Sequence, residues 1–235
     1  MAAKAASSPM TALERTLGGV FFSMYLLVLP FAADALFAGL CRLLGRDLPD
    51  NVRNMIFYYT LFALTLVIFW HYLGHTTSYF FSNFWKTLAA VCTGMVGFYG
   101  LNEISYRVLD LILGRITNLN DIAISAQIHD APRSTLLIII FLAPFVEEVL
   151  FRGYIFGNLR ATSRTAAYIV SCLLFAFLHV WQFAVIHRDL SYFLLMLQYL
   201  VPGLAFAWTY ERSGTLWGSV LLHAAVNALA AWSVL

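Results

Sequence analysis

The segment APFVEEVLFRGYI, residues 143–155, carries charged side chains inside a strongly apolar run. Glu148 and Arg152 are four residues apart, so on a helix they share a face and can form an ion pair. Glu147 points about 100° away from Glu148 and has no cation close to it in the sequence. A charge at the centre of a membrane helix costs roughly 2.5–3.5 kcal/mol for Asp, Lys or Arg, so we expect this carboxyl to face a polar cavity. The simpler alternative is that the charged group serves helix packing only.

Two later apolar segments each place a histidine one helical turn from another notable side chain. FAFLH contains Phe175 and His179, and HAAVN contains His223 and Asn227. A single histidine in a membrane helix often serves only as a hydrogen-bond donor between helices. Together with Glu147, however, these side chains include a general base for water and donors for an oxyanion. This set of groups is the one needed to hydrolyse a peptide bond.

The motifs EExxxR, FxxxH and HxxxN occur in this order on successive late helices and resemble the CPBP family. This family, also called Abi, comprises CAAX proteases, including Rce1-type endopeptidases, and bacteriocin-processing enzymes. The resemblance covers residues 135–230, which we take as the catalytic core. It implies an intramembrane glutamic endopeptidase in which Glu147 activates water with His179 as its partner. His223 and Asn227 are then expected to form the oxyanion hole.

The resemblance also assigns supporting roles. Glu148 and Arg152 are expected to hold the site together, and Phe175 is expected to pack beside it. Two histidines and a glutamate are also a suitable zinc set, so a zinc-dependent mechanism is the alternative. No HExxH motif is present, and Asn227 is a better amide donor than zinc ligand. We therefore expect neither a metal nor another cofactor.

The expected substrate is a membrane-associated protein or peptide, cleaved in its C-terminal tail or as a precursor. CAAX-protease-like and myxosortase-like processing are both of this kind. The compact, alanine-rich chain looks bacterial, so we expect it in the bacterial inner (cell) membrane. The alternative from another class is a non-catalytic membrane scaffold or a bacteriocin self-immunity protein that keeps the motifs for folding.

Composition places the chain among membrane proteins. Of its 235 residues, 61% are hydrophobic and only 11% are charged, with a mean hydropathy of +0.79. Soluble domains contain about 25% charged residues. The net charge of +2 is too small to indicate a nucleic-acid partner. The expected partners are therefore the lipid bilayer and the substrate.

The hydropathy pattern predicts an all-α fold, with residues 1–235 forming a single integral membrane domain. A helix needs about 20 apolar residues to cross the bilayer. We expect a bundle of about seven spans, within a range of six to eight, with the active site in the last four. The candidate spans are residues 18–44, 55–73, 85–113, 135–159, 165–187, 191–211 and 215–234. The polar stretch 114–134 is predicted to be a loop or a helix lying on the membrane surface.

Two further features predict structure rather than chemistry. Glu103 and Arg107 are four residues apart and are expected to form a structural ion pair. Cys41, Cys92 and Cys172 lie far apart, each in or beside an apolar segment. They are expected to be buried small hydrophobic residues without disulfide bonds.

Overall fold

The computed structural model describes residues 9–113 and 118–235, and these residues contain helices but no β-strand. The all-α prediction is confirmed. We number the described helices in chain order and treat an α-helix that continues through a π-helical or 3-10 turn as one helix. They are α1 (Ala12–Leu44), α2 (Asp50–Ile68), α3 (Trp70–Ser82), α4 (Phe84–Leu113), α5 (Leu119–Asp130), α6 (Pro132–Arg160), α7 (Arg164–Leu178), α8 (Trp181–His187), α9 (Leu190–Ser213) and α10 (Leu216–Trp232).

Four of the described helices, α1, α2, α6 and α9, are long and apolar enough to cross a membrane. The pair α7 and α8, bent by 42° at the break between them, adds a fifth if it is one span. Helix α10 is a shorter apolar helix of 17 residues. The described residues therefore form a membrane-capable helical bundle, but they contain four or five such spans, and the predicted seven are not confirmed.

The predicted spans differ from the helices where the backbone leaves helical geometry. The predicted span 55–73 is interrupted at Phe69, which separates α2 from α3. The predicted span 165–187 is interrupted after Leu178, so that His179 lies at the end of α7 rather than inside a continuous helix. Apolar residues continue through both breaks, and hydropathy alone therefore does not reveal them.

The polar stretch 114–134, predicted to be a loop or a surface helix, contains the helix α5. Residues 114–117 lie outside the described residues, and α5 begins immediately after Asn118. The Asn118 side chain accepts hydrogen bonds from the backbone N–H groups of Asn120 and Asp121, which have no partner within the first turn. Helix α6 then opens with Pro132, whose missing N–H is not needed at a first helical position.

Helix α6 is the buried centre of the bundle. It contacts α1, α2, α7, α9 and α10, and residues 142–153 are buried without interruption. A helix that is apolar on every side is expected to be enclosed by protein. The charged segment is therefore surrounded by other helices and not by lipid.

Helices α4, α9 and α10 meet at Gly94. A Cβ atom at Gly94 would overlap Thr209 Oγ1 and would lie 2.9 Å from Leu222 Cδ2. The contact atoms belong to the interior of two neighbouring helices. We therefore expect that a larger residue here separates the three helices.

Gly94→Ala is expected to lower the free energy of unfolding by about 1–3 kcal/mol because the added methyl group overpacks this contact. Gly97→Ala is the matched control, since a Cβ at Gly97 meets nothing within 4 Å. The control is expected to be neutral or slightly stabilising because alanine favours a helix more than glycine does. Thermal unfolding in detergent measures both variants, and equal melting temperatures would contradict the packing argument.

Two structural expectations have different outcomes. The Glu103–Arg107 pair is confirmed, with Arg107 Nε donating to Glu103 Oε1 at 2.7 Å. The three cysteines are free, but only Cys172 is buried, while Cys41 is half-buried and Cys92 is exposed. The expectation of burial is wrong for Cys92, because an apolar residue of a membrane helix can face lipid instead of protein.

Candidate active site

The predicted catalytic residues lie on three helices that meet inside the bundle. Glu147 is on α6, His179 directly follows α7, and His223 and Asn227 are on α10. Glu147 and His223 are buried, whereas His179 and Asn227 are half-buried. The structure thus brings together groups that are up to 80 positions apart in the sequence.

Glu147 and His179 face each other across a short gap. His179 Nε2 lies 4.0 Å from Glu147 Oε2, which is buried and has no hydrogen-bond partner among the described residues. The other ring nitrogen, Nδ1, lies 2.8 Å from the carbonyl oxygen of Phe175. A carbonyl only accepts hydrogen bonds, so Nδ1 carries a proton, and in the neutral ring Nε2 then has a lone pair that faces Glu147. The gap is too long for a direct hydrogen bond but suits a bridging water molecule.

Glu148 connects the arginine of its own helix to a histidine of another. Arg152 Nη1 lies 3.2 Å from Glu148 Oε1, and both side chains are fully buried, so the predicted ion pair is present. The same carboxylate oxygen lies 2.9 Å from His223 Nδ1. Arg152 Nη2 also donates to the carbonyl oxygen of Gly203 on α9, at 3.1 Å. These contacts join α6, α9 and α10 through one buried group of charges.

Helix α6 departs from α-helical geometry on both sides of the glutamates. The turns Ile138–Leu142 and Val149–Phe156 are π-helical, a rare form that often occurs at functional sites. Arg152 belongs to the second turn. Ile139 belongs to the first, and its carbonyl oxygen accepts a hydrogen bond from Asn227 Nδ2 at 2.7 Å. Each π-helical turn therefore provides a group that another helix binds.

Phe175 lies between the two halves of the site. Its ring centroid is 4.7 Å from that of His179 and 5.9 Å from that of His223. The Arg152 guanidinium lies over the same ring, 4.4 Å from its centroid. The phenylalanine of the FxxxH motif thus contacts both histidines and the buried arginine.

Two aromatic residues of α9 were not identified from the sequence, although each stacks on one of the histidines. Tyr199 is 4.4 Å from the His179 ring with an interplanar angle of 21°. Phe206 is 4.3 Å from the His223 ring at 20°. Because they are seven residues apart, they lie on the same face of α9. Only their helical spacing could have identified them from the sequence. That spacing is not specific, because aromatic residues at helical spacing are common in membrane helices.

The N-terminal helices also reach the site. Tyr25 lies in the π-helical turn Met24–Val28 of α1, and its hydroxyl interacts with the Glu147 carboxylate. Tyr58 of α2 lies within electrostatic range of the same carboxylate. The predicted catalytic residues themselves lie in the last four predicted spans, and α1 and α2 add two tyrosines near Glu147. No motif marks these tyrosines, since their position depends on the packing of α1 and α2 against α6.

Comparison with known proteins agrees with the three motifs. Residues 130–229 match the model of a family described as type II CAAX prenyl endopeptidase Rce1-like. This match covers 100 of the 235 residues and supports the resemblance to the CPBP family. All motif residues, from Glu147 to Asn227, lie inside the matched segment. The match agrees with the apolar helices in indicating an integral membrane protein.

A curated bacterial protein is similar over part of its length. It is the UPF0177 protein YxdF of Lactococcus lactis subsp. lactis (strain IL1403), which is 33% identical over 86 residues. These residues make up 37% of this chain and 42% of the Lactococcus protein, so the chain spans less than half of that relative's length. No solved structure matches the chain significantly.

Proposed function

We propose that this protein is a CPBP-family intramembrane endopeptidase that hydrolyses a peptide bond with water activated by Glu147 and His179. The observation that carries this proposal is the buried, unpartnered Glu147 Oε2, placed 4.0 Å from His179 Nε2. Both atoms accept hydrogen bonds, so one water molecule can donate to each and keep a lone pair for attack.

The reaction proceeds by proton transfer and addition. Glu147 takes a proton from the water, and the hydroxide adds to the carbonyl carbon of the scissile peptide bond. The proton then passes to the leaving nitrogen as the C–N bond breaks, which yields a carboxylic acid and an amine. The rate depends on holding water between two fixed side chains.

His223 and Asn227 are suited to stabilise the oxyanion of the tetrahedral intermediate. Glu148 accepts from His223 Nδ1, so His223 Nε2 is a donor only when both ring nitrogens carry protons. Asn227 uses its Nδ2 group for Ile139, but an amide has two N–H donors and one remains available.

We further propose that the mechanism is of the glutamic type and needs no metal. Within the described ranges, no group of three or more His, Cys, Asp or Glu side chains is arranged as a metal site. The carboxylate beside His223, that of Glu148, is already paired with Arg152. The two histidines also face different glutamates, which favours separate roles.

Chelation provides the test of this mechanism. Treatment of the purified enzyme with 1,10-phenanthroline followed by dialysis is expected to leave the rate of hydrolysis unchanged, because no step requires a Lewis acid. The measurement is the initial rate before and after treatment, and after zinc is added back. Loss of activity that zinc restores would establish the zinc-dependent alternative.

We propose a substrate that is itself associated with the membrane. The reaction is then cleavage of a C-terminal tail or of a peptide precursor, as in CAAX-protease-like or myxosortase-like processing. Such a substrate fits a site that is enclosed by membrane helices. The similarity to a Lactococcus protein supports a bacterial origin, and the location that we propose is the bacterial inner (cell) membrane. The partners are then the lipid bilayer and the protein or peptide that is cleaved.

A comparison of peptide termini tests the function and identifies the substrate. Membranes are prepared from cells that carry the wild-type protein, Glu147→Gln or no copy of the gene, and the termini are mapped by mass spectrometry. Defined termini are expected only with the wild type. If the folded variant and the wild type have the same termini and the same physiological effect, the protein is a scaffold or an immunity protein.

A further inference from the structure

A series of contacts leads from the start of α5 to the imidazole of His179. We propose that Tyr199 is a positioning residue for His179 and that Asn118 determines the position of Tyr199. The inference rests on the proposed function, because His179 acts there as the partner of Glu147. It extends the site to α5, which lies outside the membrane-capable helices.

Stacking by Tyr199 complements the hydrogen bond of His179. The bond from Nδ1 to the Phe175 carbonyl oxygen holds one edge of the imidazole, but a single hydrogen bond allows the ring plane to tilt. Tyr199 covers one face of the ring at a centroid distance of 4.4 Å and an angle of 21°. The two contacts together define both the plane of the ring and the direction of Nε2.

Asn118 in turn holds the tyrosine. Its Nδ2 group lies 2.9 Å from the Tyr199 hydroxyl and 3.0 Å from Gln198 Oε1, while its Oδ1 atom accepts from the same hydroxyl at 3.1 Å. The Oδ1 atom also accepts from the backbone N–H groups of Asn120 and Asp121 and so caps α5. Tyr199 therefore cannot shift far without disturbing the first turn of α5.

Helix α5 is connected to the rest of the bundle at its other end. The Thr135 hydroxyl donates to the Gln127 carbonyl oxygen at 2.9 Å, and Asn54 Nδ2 donates to Gln127 Oε1 at 3.4 Å. Ile122, one turn into the helix, is 51% exposed. The placement of this partly exposed helix thus determines the orientation of His179 through Asn118 and Tyr199.

Three variants separate the stacking from the hydrogen bonds. Tyr199→Leu removes both the stacking and the hydrogen bonds, and it is expected to reduce kcat about 10–100-fold with an unchanged KM. The reason is that His179 and Glu147 no longer hold the water in the alignment that attack requires. Tyr199→Phe keeps the ring and is expected to lose about fivefold. Asn118→Ala also removes the cap of α5 and the bond to Gln198, so it is expected to lose at least as much as Tyr199→Phe. Adding Tyr199→Phe to Asn118→Ala should cause no further loss, because the Asn118–Tyr199 bonds are then already absent.

Tyr192→Leu is the matched control. Tyr192 stacks on His187 at 5.3 Å and 26°, so this substitution removes a His–Tyr stack from the same helix, at a histidine that has no part in the site. Its kcat is expected to equal that of the wild type. The rate at which diethyl pyrocarbonate modifies His179 gives a second readout that does not require hydrolysis. Tyr199→Leu is expected to raise that rate, whereas Tyr199→Phe should not.

The possible outcomes distinguish the inference from the proposed function. If the wild type hydrolyses its substrate and Tyr199→Leu keeps the full kcat, the positioning role is wrong. A raised KM with unchanged kcat would overturn it as well, since it indicates contact with substrate. If the wild type shows no hydrolysis, the proposed function fails, and the modification rate of His179 still decides whether Tyr199 positions it. Should Tyr199→Leu fail to fold, the Tyr199→Phe and Asn118→Ala variants carry the same test.

Discussion

Replacing Glu147 with Gln is expected to reduce kcat by about 10²–10⁴-fold while the protein remains folded. The amide has nearly the shape of the carboxylate but cannot take a proton from water. Glu147 Oε2 has no hydrogen-bond partner in the described part of the chain, so the substitution breaks no hydrogen bond of that atom. The measurement is the rate of cleavage of the substrate identified from membrane termini, together with thermal unfolding in detergent.

Glu103→Gln is the control for this prediction. It makes the same chemical change in an exposed glutamate whose partner is Arg107, and it should change neither kcat nor the melting temperature appreciably. If Glu147→Gln has the kcat of the wild type, Glu147 is not the general base. If Glu147→Gln instead shows no melting transition, Glu147 is needed for folding. That result would support the alternative in which the charged group serves helix packing only.

Replacing Arg152 with Met is expected to lower the free energy of unfolding by about 3–5 kcal/mol. Arg152 and Glu148 both have 0% exposed side chains, and removing the arginine leaves the carboxylate buried with only His223 beside it. The substitution also removes the donor to the Gly203 carbonyl oxygen. Thermal unfolding in detergent and the fraction of protein that remains monodisperse measure the loss.

A second substitution distinguishes charge from packing. Combining Arg152→Met with Glu148→Gln leaves no uncompensated charge from this pair, so the double variant is expected to be more stable than Arg152→Met alone. Arg107→Met is the matched control, because it breaks an exposed pair that contributes only about 0–1 kcal/mol. If Arg152→Met melts at the wild-type temperature, the buried charges do not hold the three helices together.

The two adjacent glutamates thus have opposite expected phenotypes. Glu147 faces His179 across a 4.0 Å gap and is expected to matter for the rate. Glu148 also has one oxygen without a hydrogen-bond partner, but its other oxygen is bound by Arg152 and His223, so Glu148 is expected to matter for stability. The i,i+4 spacing of Glu148 and Arg152 allowed this division to be predicted. It did not identify His223 as the second partner of Glu148, because that contact joins residues 75 positions apart.

The helical membrane character, the Glu148–Arg152 pair and the motif residues could all be predicted from the sequence. These follow from local quantities: hydropathy along a segment, and the 3.6-residue period that brings i and i+4 to one face. Which groups meet in the folded protein could not be predicted in this way. The stacking of Tyr199 and Phe206, the approach of Tyr25 to Glu147 and the breaks at Phe69 and His179 all depend on how helices pack. In a chain that is apolar almost throughout, hydropathy does not distinguish a face that meets lipid from one that meets another helix, so the long-range contacts of the site required the fold.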